Sequence, residues 1–393
     1  MHGNRCIGNV LVLVVSALVL LSLFILPSTS SAQEEIYGIK FGTAGTFAEF
    51  HGFVNARYFD FERDSSQGKD NGISTFDVHN LYIAALAKVH PRVSVFGEVE
   101  YEHTGVPTDT IAVDRAFIDW RVIDQYLTLR IGSFNPPFGY ELAEYVAPVR
   151  KYESRPFFVD EILFHEWVDT GIWGRGQIKT PMAGILYDLS VLNGPAGLSQ
   201  EAGKGNGRQN RDNNSDRTIL GRVAFAPNIG EAGYAEVGAS YATGNYDAAA
   251  QKEFKIYGID ARVQMMGIDI RGEYAKRSGD DQIDANSAVA GNQTIQADAK
   301  GFYVQASYKM LQGRNLINYI EPKIRYDRSD VDKDDPKPTQ KNLTADDEFS
   351  RWTVGVNWSP YPHFLFKTEY QFIDEDKANL DNDGFMISAV VDF

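Results

Sequence analysis

Apolar and polar positions alternate along the C-terminal end of the chain. All residues of one parity are apolar there; they are Phe393, Val391, Ala389, Ile387 and Phe385. The residues between them are mixed in polarity. Successive side chains of a β-strand point to opposite faces, so this pattern predicts a strand with one fully apolar face.

The same alternation recurs in several longer segments. Clear examples are RVSVFGEVEYE (92–102), GFYVQASYK (301–309), NYIEPKIRYD (318–327) and HFLFKTEYQF (363–372). In each, one face is apolar and the other carries charged residues. A soluble β-sandwich also alternates, and it stays open as an alternative. Repeated charged faces on strands of about ten residues favour an inside-out arrangement, with apolar residues facing lipid and charged residues lining a wet lumen.

Sixteen segments follow this pattern. They cover residues 49–60, 75–89, 92–102, 110–122, 126–134, 167–178, 183–192, 217–226, 234–243, 253–265, 267–277, 299–309, 317–327, 349–359, 362–373 and 384–393. Short connections such as VHPR and SPYP alternate with long polar ones such as ERDSSQGKDNG and DEDKANLDNDG. The sequence therefore predicts an all-β fold, a transmembrane antiparallel β-barrel of about 16 strands. Short turns and both termini are expected on the periplasmic side, and long loops outside.

The N-terminal segment is typical of an export signal. Arg5 precedes an apolar run from Val10 to Leu26, and small residues ending at Ala32 follow. We expect residues 1–32 to be a cleaved signal peptide, with an uncleaved anchor as the alternative. Residues 33–48 are then a short periplasmic segment, and residues 49–393 form the barrel. The only cysteine, Cys6, lies in the signal, so no disulfide framework is predicted.

Composition and motifs narrow the functional classes. The net charge of −15 argues against nucleic acid as a partner, which requires basic patches. The sequence contains neither a G-x-S-x-G motif nor histidines at metal-site spacing, so no catalytic residue, metal or cofactor is predicted. A barrel enzyme using His103 or His165 near the loops stays a remote alternative. The acidic loops at 327–348 and 374–384 are solvated surface or weak divalent-cation sites.

The stretch RIGSFNPPFGYE (130–141) interrupts the strand pattern. Pro136 and Pro137 lack the N–H that a ladder needs, and Gly139 permits a bend. The segment 135–166 that follows contains many aromatic residues, too many for a solvated outer loop. We expect the chain to leave the wall at these prolines and to fold into the lumen as a constriction loop, with its aromatic side chains against the wall.

At this stretch the chain resembles the phosphate-selective porin O/P family. LRIGSFNPPFGYE (129–141) is similar to the family's G-Q-F-x-P-P-F-G stretch. Six more segments follow in the family's order: YDLSVLNGP (187–195), GRVAFAP (221–227), GASYATG (238–244), GFYVQASY (301–308), EPKIRYD (321–327) and TVGVNWSP (353–360). The resemblance implies a sixteen-stranded, homotrimeric outer-membrane channel with an inward third loop. It also implies that Phe393 is the C-terminal signal read by the barrel-assembly machinery, with lipid and lipopolysaccharide as surroundings.

Charged residues of the predicted lumen are the candidate pore residues. They are Arg57, Arg115, Arg121, Arg130, Glu141, Glu144, Arg150, Lys151, Arg155, Asp160 and Glu161. Rings of bases favour anions, whereas the third loop carries six acids against three bases, which disfavours phosphate. We therefore expect passive diffusion of small hydrophilic solutes and ions, with an anion- or phosphate-selective porin as the alternative. A non-conducting structural barrel is a remote third reading, since sixteen strands enclose an aqueous lumen.

Overall fold

The computed structural model describes residues 39–43, 46–61, 73–102, 110–143, 146–164, 167–196, 208–209, 212–280, 282–284, 293–295, 298–313, 317–331, 348–375 and 382–393. The predicted signal peptide, His103 and His165 lie outside these ranges. Among the described residues, no helix is long and apolar enough to cross a membrane.

The strands are numbered in chain order. They are β1 Ile39–Thr43, β2 Thr46–Phe61, β3 Ile73–His90, β4 Val93–Glu102, β5 Thr110–Ile123, β6 Leu127–Phe134, β7 Val168–Lys179, β8 Ala183–Leu192, β9 Arg208–Gln209, β10 Thr218–Pro227, β11 Tyr234–Asn245, β12 Glu253–Met265, β13 Ile268–Gly279, β14 Gln282–Asp284, β15 Gln293–Ile295, β16 Ala299–Tyr308, β17 Tyr319–Val331, β18 Glu348–Tyr361, β19 Phe364–Glu375 and β20 Gly384–Asp392. Within the described ranges, one helix, α1, covers Phe157–Ile162, and a 3-10 turn covers Gly230–Ala232.

Sixteen of the described strands close into one barrel. From β2 to β8, from β10 to β13 and from β16 to β20, each strand pairs antiparallel with its neighbours along the chain. The ring closes where β2 pairs with β20, from Phe53 opposite Asp392 to Phe61 opposite Gly384. β8 pairs with β10, and β13 pairs with β16, so the short strands between them belong to loops. The predicted all-β, sixteen-stranded antiparallel barrel is confirmed.

The barrel wall is apolar outside and polar inside. On β12, Ile259 is 61% exposed whereas its neighbour Asp260 is 3% exposed. On β17, Ile324 is 43% exposed whereas Lys323 is 4% exposed. The outward positions would meet lipid, and the inward ones carry the charges that the alternating pattern assigned to a lumen. This inversion of a soluble protein's burial excludes the sandwich alternative.

Connections differ between the two rims, as the sequence predicted. At one rim β12 and β13 are joined by Met266 and Gly267 alone, both with positive φ, 52° and 83°. Such a two-residue turn matches the twist of an antiparallel pair. At the other rim the chain makes its long excursions, including residues 135–167 between β6 and β7. β1 pairs with the start of β2, beside the end of β20. With an even number of strands, both ends of the barrel chain lie at the short-turn rim.

Candidate functional site

The third loop, residues 135–166, leaves the wall at the predicted prolines. β6 ends at Phe134, whose side chain is fully buried. The backbone N–H of Phe138 donates to the carbonyl of Pro136 at 2.8 Å, which forms a tight turn after the two prolines. Gly139 follows with φ of +60°, and a side chain there would collide with the Glu273 carboxylate. Pro136, Pro137 and Gly139 therefore turn the chain inward, toward the wall formed by β11–β13.

A carboxylate of that wall holds the start of the third loop. Glu273 on β13 accepts hydrogen bonds from the backbone N–H groups of Tyr140 at 3.0 Å and Glu141 at 2.8 Å. The hydroxyl of Tyr303 donates to the same carboxylate at 2.6 Å. The Glu141 carboxylate in turn accepts from Arg271 at 3.2 Å. Loop N–H groups and a loop acid thus find partners on the wall, which offsets the cost of burying them.

A second set of contacts fixes the middle of the loop to β17–β19. The Ser154 hydroxyl donates to Glu369 at 2.6 Å, and the backbone N–H of Glu153 donates to the same carboxylate. Lys151 pairs with Glu321, and the N–H of Phe157 donates to Asp327 at 3.0 Å. Each of these wall acids accepts a hydrogen bond from the loop. The loop is therefore attached at several points along the far wall rather than at one.

Two groups of the loop, Glu153 and Lys151, are held in the charged state by their neighbours. Burial raises the pKa of Glu153, but Lys367 and Arg150 outweigh it and hold that pKa at about 2. Burial lowers the pKa of Lys151, whereas Glu321 and Asp269 raise it by more. Opposite charges close to a group favour its charged form. Glu153 and Lys151 therefore stay ionised at neutral pH.

Apolar packing completes the attachment. The buried loop residues form one cluster with the wall; they include Phe138, Leu142, Phe158, Ile162, Leu163, Phe164 and Trp167. Phe158 lies 5.4 Å from Tyr303 between ring centroids, and Phe164 lies 5.1 Å from Phe254. Phe138 packs over Gly258, where an added side chain would collide with its ring. The aromatic side chains of the loop lie against the wall, as predicted. The six-residue helix α1 in the loop was not predicted from the sequence.

The third loop covers one side of the lumen and leaves the other side to water. Lumen-facing side chains behind it are buried; for example, Arg325 is 1% exposed and Lys323 is 4% exposed. On β5–β7 the side chains of Arg115, Arg130 and Arg175 are 17%, 15% and 34% exposed. The open wall is therefore the one formed by the strands that precede and follow the third loop.

Arginines and aromatic rings alternate along this open wall, and we call them the arginine track: Arg115, Arg130, Arg175, Phe96, Phe117 and Trp173. The Arg130 guanidinium lies 3.5 Å from the Phe117 ring centroid and 4.9 Å from that of Trp173. Arg175 lies 4.8 Å from Trp173, and Arg115 lies 5.6 Å from Phe96. These distances are within the range of cation–π contacts, which hold each guanidinium beside an aromatic ring of the wall.

Carboxylates lie beside each arginine of the track. Asp119 accepts from Arg130 at 2.8 Å and from Arg175 at 2.8 Å, so one acid serves two bases. Arg115 binds Glu98 at 2.7 Å, and that carboxylate is only 5% exposed. Arg115 and Arg175 are more exposed than their carboxylate partners, whereas Arg130 and Asp119 are equally exposed, at 15% and 16%.

The other sequence-predicted candidates lie in three places. Arg57 on β2 pairs with Asp77 at 2.9 Å and is 21% exposed. Arg121 is exposed near the short turn after β5. Arg150 is buried, and Arg155 donates to the Glu141 carbonyl at 3.4 Å. Glu144 and the side chains of Asp160 and Glu161 lie outside the described residues.

Sequence reasoning missed three participants. Arg175 was not selected, because WVDTGIWGRGQI alternates weakly and gave little guidance on which residues face inward. Glu369 and Asp327 accept hydrogen bonds from the loop backbone, a role that the sequence pattern does not indicate. Acids at inward positions of β17 and β19 were visible in the sequence, but their partners come from a loop more than 150 positions away in the chain.

Comparisons with known proteins agree with this geometry. The chain is similar to the outer-membrane channel DcaP of Acinetobacter baumannii, with 15% identity, a TM-score of 0.57, and 91% of this chain and 99% of that chain covered. It is similar to OprB of Pseudomonas putida, with 11% identity, a TM-score of 0.56 and coverages of 88% and 94%. It is also similar to the trimer form of OmpT, an outer-membrane protein of Vibrio cholerae, with 11% identity, a TM-score of 0.53 and coverages of 89% and 100%.

No curated protein matches the chain. The profile of the family described as "Phosphate-selective porin O and P" matches residues 59–283, which includes β3–β13, the third loop and the whole arginine track. That match spans more than half of the chain and confirms the resemblance seen in the sequence. With its closed barrel and inward loop, the chain belongs to the phosphate-selective porin O and P family and is an outer-membrane porin.

Proposed function

We propose that water and small hydrophilic solutes cross the barrel along the arginine track, and that small anions cross more readily than cations. One observation carries the proposal: the third loop buries the lumenal side chains of the far wall, whereas Arg115, Arg130 and Arg175 keep contact with solvent. Solutes then meet a surface of guanidinium groups, their carboxylate partners and aromatic rings.

The preference for anions is modest in this proposal. The sequence suggested a repelling acidic loop, yet the described loop acids Glu141 and Glu153 lie against the wall bases Arg271 and Lys367. Each arginine of the track has a carboxylate neighbour as well, so the local net charge is small. A weak field in a wet lumen sorts ions by sign without binding them tightly. Phosphate is one of several anions that would pass.

Planar-bilayer recording tests both parts of the proposal. Purified protein is expected to give stepwise, ohmic conductance, and heat-denatured protein is the control. Under a potassium chloride gradient the zero-current potential should take the sign set by chloride. Absence of conductance steps would contradict the channel. Steps with a potential of the sign set by potassium would retain the channel and remove the anion preference.

We infer further that the channel is passive and non-enzymatic, which its family and the similarity to a channel support. Purified protein should hydrolyse neither peptide nor phospholipid. A hydrolytic activity that His103→Ala or His165→Ala abolishes would overturn this inference.

We infer also that three copies associate, which the trimer form of the similar OmpT supports. Ala85, Gly97 and Ala116 stand opposite one another on the outer face of β3–β5, and space is open above Gly97. Small side chains permit close approach of a second copy. Gly97→Trp should convert trimers to folded monomers in light scattering of detergent-purified protein. A trimer that survives this change would contradict that choice of surface.

We also propose that the protein is exported with its signal peptide removed and that the barrel-assembly machinery reads its C-terminal residue. Cleavage after Ala32 would leave Gln33 as the first residue, and mass spectrometry of the outer-membrane form tests this. Phe393 exchanges backbone hydrogen bonds of 2.9 Å with Gly52 in both directions, and its ring remains 49% exposed. An exposed terminal ring supports the proposed reading of Phe393 by the assembly machinery. Loss of barrel assembly in Phe393→Ala would be the expected result, and normal assembly would count against it.

A further inference from the structure

Arg150 is a buried base of the third loop, and it differs from its neighbour in having no acidic partner. It is only 7% exposed, and its Nε atom is buried without a hydrogen-bond partner. Among the residues that the structure describes, no carboxylate lies within ion-pair distance of it. The next residue, Lys151, pairs with Glu321. A buried charge without a partner is costly, because the protein has displaced the water that would solvate it.

An acid of the same loop, Glu153, is held by other groups. Its Oε1 atom accepts from the side chain of Asn55 at 2.8 Å, and its Oε2 atom accepts from the hydroxyl of Ser388 at 2.9 Å. The ammonium group of Lys367 lies 3.9 Å from the same carboxylate. Because β2, β19 and β20 hold Glu153 in this way, it stays beyond ion-pair distance of Arg150.

The charges around Arg150 leave one positive charge uncompensated. Its electrostatic neighbours are one histidine of β3, one acid of the loop and one base of β19: His79, Glu153 and Lys367. The charges of Glu153 and Lys367 cancel, and His79 adds no negative charge in either of its forms. The ion pair of Arg57 with its β3 carboxylate, beside His79, also cancels. The surplus is therefore the single charge of Arg150 itself.

Water reaches this part of the lumen. Val149, the residue before Arg150, is 40% exposed. On the neighbouring wall, the side chains of Arg57 and Asp77 are 21% and 16% exposed. Of the three guanidinium nitrogens of Arg150, only Nε is both fully buried and without a partner. A small solute that enters the lumen can therefore reach the guanidinium group where the third loop passes β2 and β3.

We propose that Arg150 binds a small monocarboxylate, such as acetate, from the lumen. This inference rests on the proposed function, because it names a class of solute for the same passage. A guanidinium group offers two parallel N–H groups that match the two oxygens of a carboxylate. One negative charge compensates the surplus at Arg150, whereas a phosphate dianion would leave a buried negative charge beside Glu153. Chloride has a suitable charge, but as a single atom it does not match the fork.

Saturation-transfer NMR of acetate, with the whole protein in detergent micelles, tests the proposal without depending on conductance. Wild-type protein should give a signal of the acetate methyl group, and formate should displace it. Phosphate, mostly a dianion at about pH 8, should displace acetate about five times less than formate does. R150Q should lower the signal about fivefold, because it removes both the charge and the fork. R150K keeps the charge and loses the fork, so it should lower the signal about twofold.

The matched control is K276Q, which removes one exposed positive charge from the outer face of the barrel and should bind acetate as wild type does. Heat-dependent gel mobility shows whether each variant is folded, and R150K decides the test if R150Q does not fold. An unchanged signal in the Arg150 variants, an equal loss in K276Q, or equal displacement by phosphate and formate would overturn the proposal. Conductance is measured separately, so a barrel that conducts but does not bind acetate would overturn the monocarboxylate site alone.

Discussion

The charges of the arginine track allow a quantitative prediction of the ion selectivity of the channel. Arg130 and Arg175 share the carboxylate of Asp119, and Asp188 stands opposite Arg175 in the β7–β8 ladder, so two bases face two acids. Replacing both arginines by glutamine leaves the two carboxylates. The double variant R130Q/R175Q therefore makes the local charge negative without adding bulk to the lumen.

The expected size of the effect follows from Coulomb's law. A unit charge about 6 Å from a passing ion contributes about 0.7 kcal/mol in water, and the variant changes two charges. The energies of an anion and a cation shift in opposite directions, so the difference between the two ions changes by about 2.8 kcal/mol. Screening at 0.1 M salt roughly halves this difference. The ratio of chloride to potassium permeability should therefore fall about tenfold, since about 1.4 kcal/mol corresponds to a factor of ten.

The assay is the zero-current potential in planar bilayers under a potassium chloride gradient. The sign should change from that set by chloride to that set by potassium. K276Q/K300Q serves as the matched control, because it removes two positive charges from the outer face of the barrel. The same potential in wild type and R130Q/R175Q would refute the passage of ions along the arginine track. An equal shift in K276Q/K300Q would refute a local origin of the effect.

Two further predictions concern the attachment of the third loop. Gly258→Val should displace Phe138 from the wall at a cost of about 1–3 kcal/mol and give a larger, noisier conductance, whereas unchanged conductance would contradict this packing. The pKa of Glu153 is held at about 2, below the ordinary value of a glutamate. The contribution of the Glu153 carboxylate to loop attachment is therefore complete above that ordinary value and is lost only as the pH falls through about 2. The difference in single-channel conductance between wild type and Glu153→Gln should therefore stay constant from pH 7 to about pH 4, and a difference that disappears near the ordinary pKa of a glutamate would contradict the assignment.

Much of the fold could be predicted because it depends on local pattern. Alternation predicted the strands, and two prolines predicted where the third loop leaves the barrel wall. The inward direction of Arg57, Arg115 and Arg130 followed from the period of two. Each of these features depends on residues within about ten positions of one another.

The arrangement of the lumen could not be predicted, because it depends on contacts that closure of the ring creates. Glu273 and Glu369 accept from loop N–H groups that lie more than 100 positions away in the chain. The same contacts compensate two of the six acids that the loop carries. Glu141 and Glu153 lie against bases of the wall, so their charges are compensated and do not face the passage.

Cysteine accessibility tests the central claim most directly: that solutes pass along the open wall while the third loop seals the far wall. Ser94 and Ser307 are each the second residue from the short-turn end of their strand, and both face the lumen. Ser94 is half-buried and stands opposite Asp119, the carboxylate that Arg130 and Arg175 share. Ser307 lies behind the third loop and is only 5% exposed. The chain's only cysteine, Cys6, lies in the predicted signal. A negatively charged methanethiosulfonate reagent should reduce the conductance of Ser94→Cys and leave Ser307→Cys unchanged. Equal modification of both variants, or modification of Ser307→Cys alone, would contradict the account.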